Sequence, residues 1–211
     1  MANPCSSRYA FFADDKNKGE LLRFYNKLSG IINPVLKTKN SADPGWLGNV
    51  VIAHGLDLET HSCRGTIEDL GEYEPDSNFF TLDSETAWTP MEKLWEAVVA
   101  QYKGVSFYYI AEEAGSDIYI NTDVEGTYIP DKYMLEIWGD CHIPEGWYAK
   151  QKKPACLDIR EYFSSLDNFL KYCADFTGEK FDTFEEWQNY FFRIFGMVGN
   201  VIVGVREFTA D

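Results

Sequence analysis

The clearest hydrophobic pattern in the chain predicts a helix that begins near Thr89. Apolar residues recur there at the i, i+3, i+4 spacing of a helix that packs against a core: Met91, Leu94, Trp95, Val98, Val99 and Tyr102. Thr89 suits the N-cap of this helix, and Pro90 suits its first position, where no N–H is needed. Gly104 is placed for a left-handed C-cap.

A run of strands is predicted after this helix. Val105–Ala111 is rich in β-branched and aromatic residues, and Ile118–Ile120 returns after a turn. Thr127–Trp138 predicts further strand, in which Pro130 requires an edge position or a break. The pattern therefore indicates an antiparallel meander that extends a larger sheet.

The preceding residues complete a recognisable order of elements. Ser7–Ala13 predicts a strand and Asn17–Ile32 a helix, and Cys63–Leu70 and Asn78–Ser84 predict two strands. Trp46–Leu58 fits either a short strand or a helical turn. The fold class is therefore α+β, with the split β-α-β-β-α-β order of a ferredoxin-like sheet, an insertion near residues 33–62 and added antiparallel strands.

The hydrophobic pattern changes after residue 140. We therefore predict a ferredoxin-like domain at residues 1–140 and a small helical C-terminal extension at residues 141–211. Leu157–Phe176 carries apolar residues on one helical side. Asp182-Thr183 predicts the cap of a second helix, and Val198–Phe208 a final strand. We expect this extension to dock on the main domain, because about 60 residues form only a marginal core.

Composition indicates a folded protein, with 45% hydrophobic and 16% aromatic residues. No stretch reaches the roughly 20 apolar residues that a membrane helix needs, so no membrane association is expected. The opening MANPCSSRYAFF lacks a secretory pattern, which predicts a cytoplasmic protein. Its five scattered cysteines fit reduced thiols rather than a disulfide framework.

Charge favours a basic protein partner over nucleic acid. The chain carries a net charge of −15, and ten acids stand against one base between Asp57 and Glu92. Phosphate binding needs local Lys and Arg, so no direct nucleic acid binding is expected. The candidate binding residues are acids close together in the chain: Glu68, Asp69, Glu72, Glu74 and Asp76. The alternative is a solvated surface that only aids solubility.

A second group of acids flanks the two turns of the meander: Glu112, Glu113, Asp117, Asp123 and Glu125. Carboxylates that face one another can perform acid/base catalysis or bind a cation with turn carbonyls. The alternative is that these acids only solvate the turns.

Histidine and cysteine pairs offer a weaker metal hypothesis. The candidates are His54, His61, Cys63, Cys141 and His142, which include two near pairs but no C-x-x-C or H-x-x-x-H spacing. We therefore predict no metal and no cofactor. A thiol nucleophile would be Cys63 beside His61, or Cys5.

The stretches MANPCSS, TAWTP, LWEAV, VSFYYIAEEAG and TDVEGTYIPDKY carry a resemblance. From Met1 to Trp138 the chain resembles the YubB-type ferredoxin-like proteins, uncharacterised proteins of plasmids, phages and integrated elements. Pro4 and Ser7 depart from the Trp and Asn that are usual in that opening. The resemblance implies a ferredoxin-like fold without an iron–sulfur cluster and supplies no catalytic residues.

The sequence thus favours a non-enzymatic, protein-binding accessory factor of a mobile genetic element that uses an acidic surface. The alternative is a small hydrolase or metal-dependent enzyme that uses the turn carboxylates or the His/Cys pairs. The oligomeric state stays open.

Overall fold

The computed structural model describes residues 3–33, 43–74, 76–139, 143–148, 156–196 and 201–210. The chain divides into two compact units, Met1–Asp123 and Val124–Ala210. Each unit has its own sheet and its own hydrophobic core.

The first unit has the predicted order of elements. Its helices and strands are β1 (Pro4–Ala13), α1 (Lys18–Ile32), α2 (Leu47–Ala53), β2 (Gly65–Leu70), β3 (Phe79–Ala87), α3 (Glu92–Val99), β4 (Val105–Glu113) and β5 (Ile118–Asn121). The sheet runs β2-β3-β1-β4-β5, and every neighbouring pair is antiparallel. The first four strands therefore have the ferredoxin-like arrangement, and β5 is the added antiparallel strand.

The core of this unit is built from aromatic rings. Alternate residues of β1 point into it, among them the fully buried Tyr9 and Phe11. The Phe11 ring meets Phe24 of α1 edge-on at 5.0 Å and Trp95 of α3 at 5.1 Å. Because both helices supply rings to the same face of β1, that face is the interior of the unit.

Two predicted details around α3 are wrong. Thr89 does not cap this helix, which begins at Glu92 after Met91. The Thr89 carbonyl instead accepts a hydrogen bond from the Thr86 hydroxyl at 2.7 Å, which holds this segment in a turn. The helix also ends at Val99, five residues before Gly104. Gly104 does adopt a left-handed φ of 71°, but it does so in the turn that leads into β4.

The ambiguous stretch after Trp46 contains the short helix α2, with Leu47, Val50 and Val51 buried. The predicted insertion near 33–62 is described only in part, since residues 34–42 lie outside the described residues.

The second unit contains more strand than expected. Its elements are β6 (Tyr133–Gly139), β7 (Leu157–Phe163), α4 (Leu166–Thr177), α5 (Phe184–Phe195) and β8 (Val201–Glu207). Its described strands form an antiparallel sheet in the order β7-β6-β8. The prediction that the strand up to Trp138 extends the main sheet is therefore wrong. Proline at 130 precedes β6, and β6 then pairs on both sides as the central strand of a different sheet.

The predicted helix from Leu157 to Phe176 is also wrong in its first half. Leu157, Ile159 and Phe163 are buried with the two-residue period of a strand. The helix begins only after Ser165, whose hydroxyl accepts a hydrogen bond from the Asn168 N–H.

The predictions for the last two elements are confirmed. Thr183 caps α5 in a reciprocal capping box with Glu186. Strand β8 lies within the predicted Val198–Phe208 stretch, of which residues 198–200 lie outside the described part of the chain.

The second unit has an aromatic core, in which the Trp147 indole N–H donates to the Tyr190 hydroxyl at 3.0 Å. The predicted docking of the C-terminal extension stays a prediction. None of the helices in the described parts of the chain combines the length and the apolar character that crossing a membrane requires.

Candidate functional site

The predicted acidic residues lie along one margin of the first sheet. Strand β2 is an edge strand, and β3 is the only described strand that pairs with it along its full length. The five acids belong to this strand and to the chain that follows it, and all are exposed: Glu68, Asp69, Glu72, Glu74 and Asp76. We call these five residues the acidic edge.

The local backbone of β2 explains why its charges face solvent. The pairing register with β3 shifts between Ile67 and Asp69, as in a β-bulge. Ile67 is buried in the core, whereas Glu68 and Asp69 are exposed. The Ile67 N–H donates to the Gly45 carbonyl at 2.8 Å, so the outer side of β2 is partly covered at this point.

The neighbouring strand adds two more acids to this side of the sheet. Asp83 of β3 lies directly opposite Asp69, and Glu85 lies opposite Thr66. The Asp83 carboxylate is paired, because Arg8 of β1 donates to its two oxygens at 2.8 and 2.9 Å. Sheet register therefore adds Glu85 to the negative surface, which the spacing of the five acids alone does not predict.

The negative charge of the acidic edge is largely not neutralised by neighbouring basic residues. Within the described residues, no salt bridge joins a lysine or arginine to any of its five carboxylates. Lys18 comes near, but its ammonium group bonds the backbone carbonyl of Asp76 and pairs with the Asp15 carboxylate. Carboxylates without a cationic partner produce a negative potential that attracts a basic surface.

The turn carboxylates of the first unit do not converge. Glu113 is buried, and its two oxygens accept hydrogen bonds from the Gly115 and Ser116 N–H groups, both at 2.7 Å. Hydrogen bonds from Ser116, together with those from Gly115 and Asn3, lower the pKa of Glu113 below its ordinary value. This carboxylate therefore holds the β4–β5 turn in place.

The other members of that group are spread along the chain. Asp117 is exposed in the β4–β5 turn, and Asp123 is buried beyond the far end of β5. Four strand residues separate those ends by roughly 13 Å. Glu112 is half-buried on β4, and Glu125 is exposed in the second unit. The acid/base arrangement is thus not assembled among the members of this group that belong to the first unit.

The described histidines already have hydrogen-bond partners. His54 is buried, with Nδ1 2.8 Å from the Val50 carbonyl and Nε2 2.9 Å from the Tyr102 hydroxyl. Nδ1 of His61 is near the Thr60 hydroxyl and the Asp57 carbonyl. No group of three His, Cys, Asp or Glu residues among those described could hold a metal ion. The Cys141-His142 pair lies outside the described residues.

The cysteines that the structure describes are free thiols. Cys5 and Cys173 are buried, Cys63 is partly buried and Cys156 is exposed. Burial raises the pKa of Cys5 and of Cys173, which disfavours the reactive thiolate. Cys5 therefore has the environment of an inert core thiol.

Two concave sites in the first unit were not foreseen from the sequence. A cavity of 510 Å³ lies at the start of α3 and includes His61, Thr89 and Ile118 in its lining. A groove of 690 Å³ lies between α3 and β4, with Glu96 and Phe107 in its lining. The groove stays open beside β4 because β5 is shorter than β4, and no local signal in the sequence predicts this difference in length.

Comparisons of the chain with profiles of protein families, with curated proteins and with solved structures found no match in any of the three.

Proposed function

We propose that this protein is a non-enzymatic, protein-binding accessory factor of the cytoplasm that docks on a basic partner through the acidic edge. The observation that carries the proposal is the exposure of five carboxylates within nine residues at a sheet margin, none of which forms a salt bridge with a described lysine or arginine.

The physical basis is electrostatic complementarity. A net charge of −15 attracts a basic protein at long range, and the acidic edge concentrates that charge on one side of a rigid sheet. Charges at the rim of an interface act chiefly on the association rate and are screened by salt. The complex should therefore form fast and weaken as the ionic strength rises.

An origin in a mobile genetic element belongs to the same proposal. It is supported by the resemblance of Met1–Trp138 to the YubB-type family and is compatible with the ferredoxin-like strand order. The enzyme alternative draws no support from the turn carboxylates, since Glu113 anchors a turn and Asp117 and Asp123 flank opposite ends of β5.

The test is capture of proteins from the host lysate with the tagged full-length chain at about 50 and 300 mM salt. The acidic-edge variant carries Glu68→Gln, Asp69→Asn, Glu72→Gln and Glu74→Gln. A matched variant neutralises four exposed acids of the second unit: Glu145, Asp158, Glu161 and Glu179.

A specific basic protein should be retained by the wild type and the matched variant at low salt, and it should be lost at high salt and with the acidic-edge variant. If both variants lose it equally, net charge rather than the acidic edge explains the binding. If the acidic-edge variant retains the same proteins as the wild type, the proposed docking surface is wrong.

A further inference from the structure

The groove between α3 and β4 has the geometry of a peptide-binding site. Helix α3 forms one wall, through residues spaced at one helical turn that include Glu92, Glu96 and Val99. Strand β4 forms the floor, with the half-buried Phe107 among its lining residues. The groove lies within the first unit and has a volume of 690 Å³.

The floor of the groove ends in an unpaired strand edge. Strand β5 pairs with β4 only from Ile110 to Glu113. One residue further along, Thr122 still bonds both backbone groups of Tyr109, at 2.8 and 2.9 Å. No described strand pairs with that side of β4 between Val105 and Phe107.

The direction of the backbone groups follows from strand alternation. In an antiparallel strand, the N–H and C=O of one residue point to the same side, and those of the residue two positions away point there as well. Since both Tyr109 groups bond Thr122, the Phe107 N–H and C=O point into the vacant place beside β4. Within the described residues, neither group has a hydrogen-bond partner on that side.

The walls indicate which side chains would fit. Glu92 and Glu96 are exposed on α3, and Val99 and Phe107 offer half-buried apolar surface. Because β4 runs back along α3, the carboxylates lie toward the Tyr109 end of the groove, and Lys103 lies toward the other end. An extended chain presents alternate side chains to one wall, so a basic residue and an apolar residue two positions apart could reach these two regions.

We propose that this groove binds an extended segment of a partner protein, added as a strand beside β4, with a Lys or Arg toward Glu92 and Glu96 and an apolar side chain against Val99 and Phe107. Main-chain bonds to Phe107 supply affinity, and the α3 wall supplies selectivity. A second copy of this chain is disfavoured as occupant, because each copy carries a charge of −15. This site does not depend on the acidic edge, which lies at the opposite margin of the sheet.

The test uses a fluorescent, end-blocked seven-residue peptide with lysine at position 2, valine at position 4 and threonine elsewhere, so that the lysine and the valine lie on the same face of the extended peptide. It is titrated with the protein at low salt. Anisotropy should show saturable binding, and hydrogen exchange at the Phe107 amide should slow when the peptide is bound. The same peptide methylated on every backbone nitrogen keeps its charge and loses its strand-forming donors, so it should not bind.

Matched charge variants locate the site. The double variant Glu92→Gln with Glu96→Gln should raise the Kd of the peptide about tenfold. Glu72→Gln with Glu74→Gln makes an equal change of charge outside the groove and should raise the Kd less than about twofold.

Four outcomes would overturn the inference. These are no binding at about 1 mM peptide, equal binding of the methylated peptide, equal effects of the two double variants, and an unchanged Phe107 amide. Each of them leaves the lysate capture with the acidic-edge variant as an independent test of the proposed function.

Discussion

At the scale of single residues, a chain of polar contacts around the buried His54 links α1, α2 and the end of α3. His54, at the end of α2, bonds the Val50 carbonyl and the Tyr102 hydroxyl. The Arg23 guanidinium of α1 lies over the Tyr102 ring, 4.2 Å from its centre, and donates to the Gln101 carbonyl at 3.1 Å. The Gln101 amide in turn donates to the His54 carbonyl at 3.0 Å. Breaking either of the His54 side-chain bonds would leave a buried group unsatisfied.

The stability of the first unit should depend on pH through His54. Burial, with a smaller contribution from the positive charges of Lys27 and Arg23, lowers the pKa of His54 below its ordinary value of about 6.5. The unfolded chain therefore binds the proton more readily, and the stabilisation present above about pH 6.5 is lost as the pH falls below it. Hydrogen exchange of β1 and β3 amides in urea at about pH 7.5 and 5.5 measures this loss.

His54→Gln is the control, because it removes the titrating group and leaves other acid effects in place. The wild type should lose more stability than this variant on acidification. Equal losses would show that His54 has the same pKa in the folded and unfolded chains, and would contradict the predicted pH dependence.

Thiol labelling should separate the described cysteines by burial. Cys156 is exposed, whereas Cys5 and Cys173 are buried and have raised pKa values. In the native protein, an alkylating reagent should modify Cys156 at least about tenfold faster than either buried thiol, because the thiolate is the reactive form. Mass spectrometry of the digested protein measures the three rates. Labelling of Cys173 at the rate of Cys156 would contradict the buried core of the second unit.

At the scale of elements, the capping box of α5 should stabilise the second unit measurably. The Thr183 hydroxyl accepts from the Glu186 N–H, and the Glu186 carboxylate accepts from the Thr183 N–H. Thr183→Ala should lower the free energy of unfolding by about 1 kcal/mol. Thr183→Ser keeps the hydroxyl and should lower the free energy of unfolding much less. Urea unfolding followed through hydrogen exchange of α5 amides separates the two variants, and equal stabilities would contradict the cap.

The charges on β2 should also prevent pairing of this edge with a second chain. Glu68 and Asp69 are exposed at the bulge of an edge strand. Replacing both with valine should promote concentration-dependent association, which light scattering after size exclusion detects. Glu72→Val with Glu74→Val adds the same apolar surface outside the strand and should associate less. If the two pairs associate equally, hydrophobicity rather than edge pairing is responsible.

The elements also show what the sequence could predict. Helix α1 and strands β1 to β4 follow patterns that are long or strongly periodic, and the order of these elements leads directly to the ferredoxin-like sheet. Leu157–Phe163 has apolar residues that fit both a strand and the start of a helix, and its pairing with β6 decided between them. Such pairing joins distant residues and leaves no local signal.

Some features of the candidate site could likewise be predicted from the sequence, and others could not. Exposure of the acidic edge could be predicted from its density of charge. The bond from Arg8 to Asp83, the burial of Glu113 and the vacant edge at Phe107 depend on register and strand length, which the sequence does not specify locally.

At the scale of the whole molecule, the position of β6 determines where the chain can be divided. The strand pairs with both β7 and β8, so the second sheet depends on it. A fragment that begins at Val124 should fold, with the near-ultraviolet circular dichroism and dispersed amide spectrum of a packed aromatic core. A fragment that begins at residue 141 lacks β6 and should be unfolded. Two folded fragments would contradict the central role of β6.

Zero-length carbodiimide cross-linking of the captured complex shows whether the acidic edge contacts a basic partner. This reagent joins a carboxylate to a lysine only when the two are in contact, and mass spectrometry then identifies the carboxylates. We expect the cross-links to partner lysines to concentrate at the five residues of the acidic edge: Glu68, Asp69, Glu72, Glu74 and Asp76. Cross-links spread over all exposed acids, or concentrated in the second unit, would contradict it.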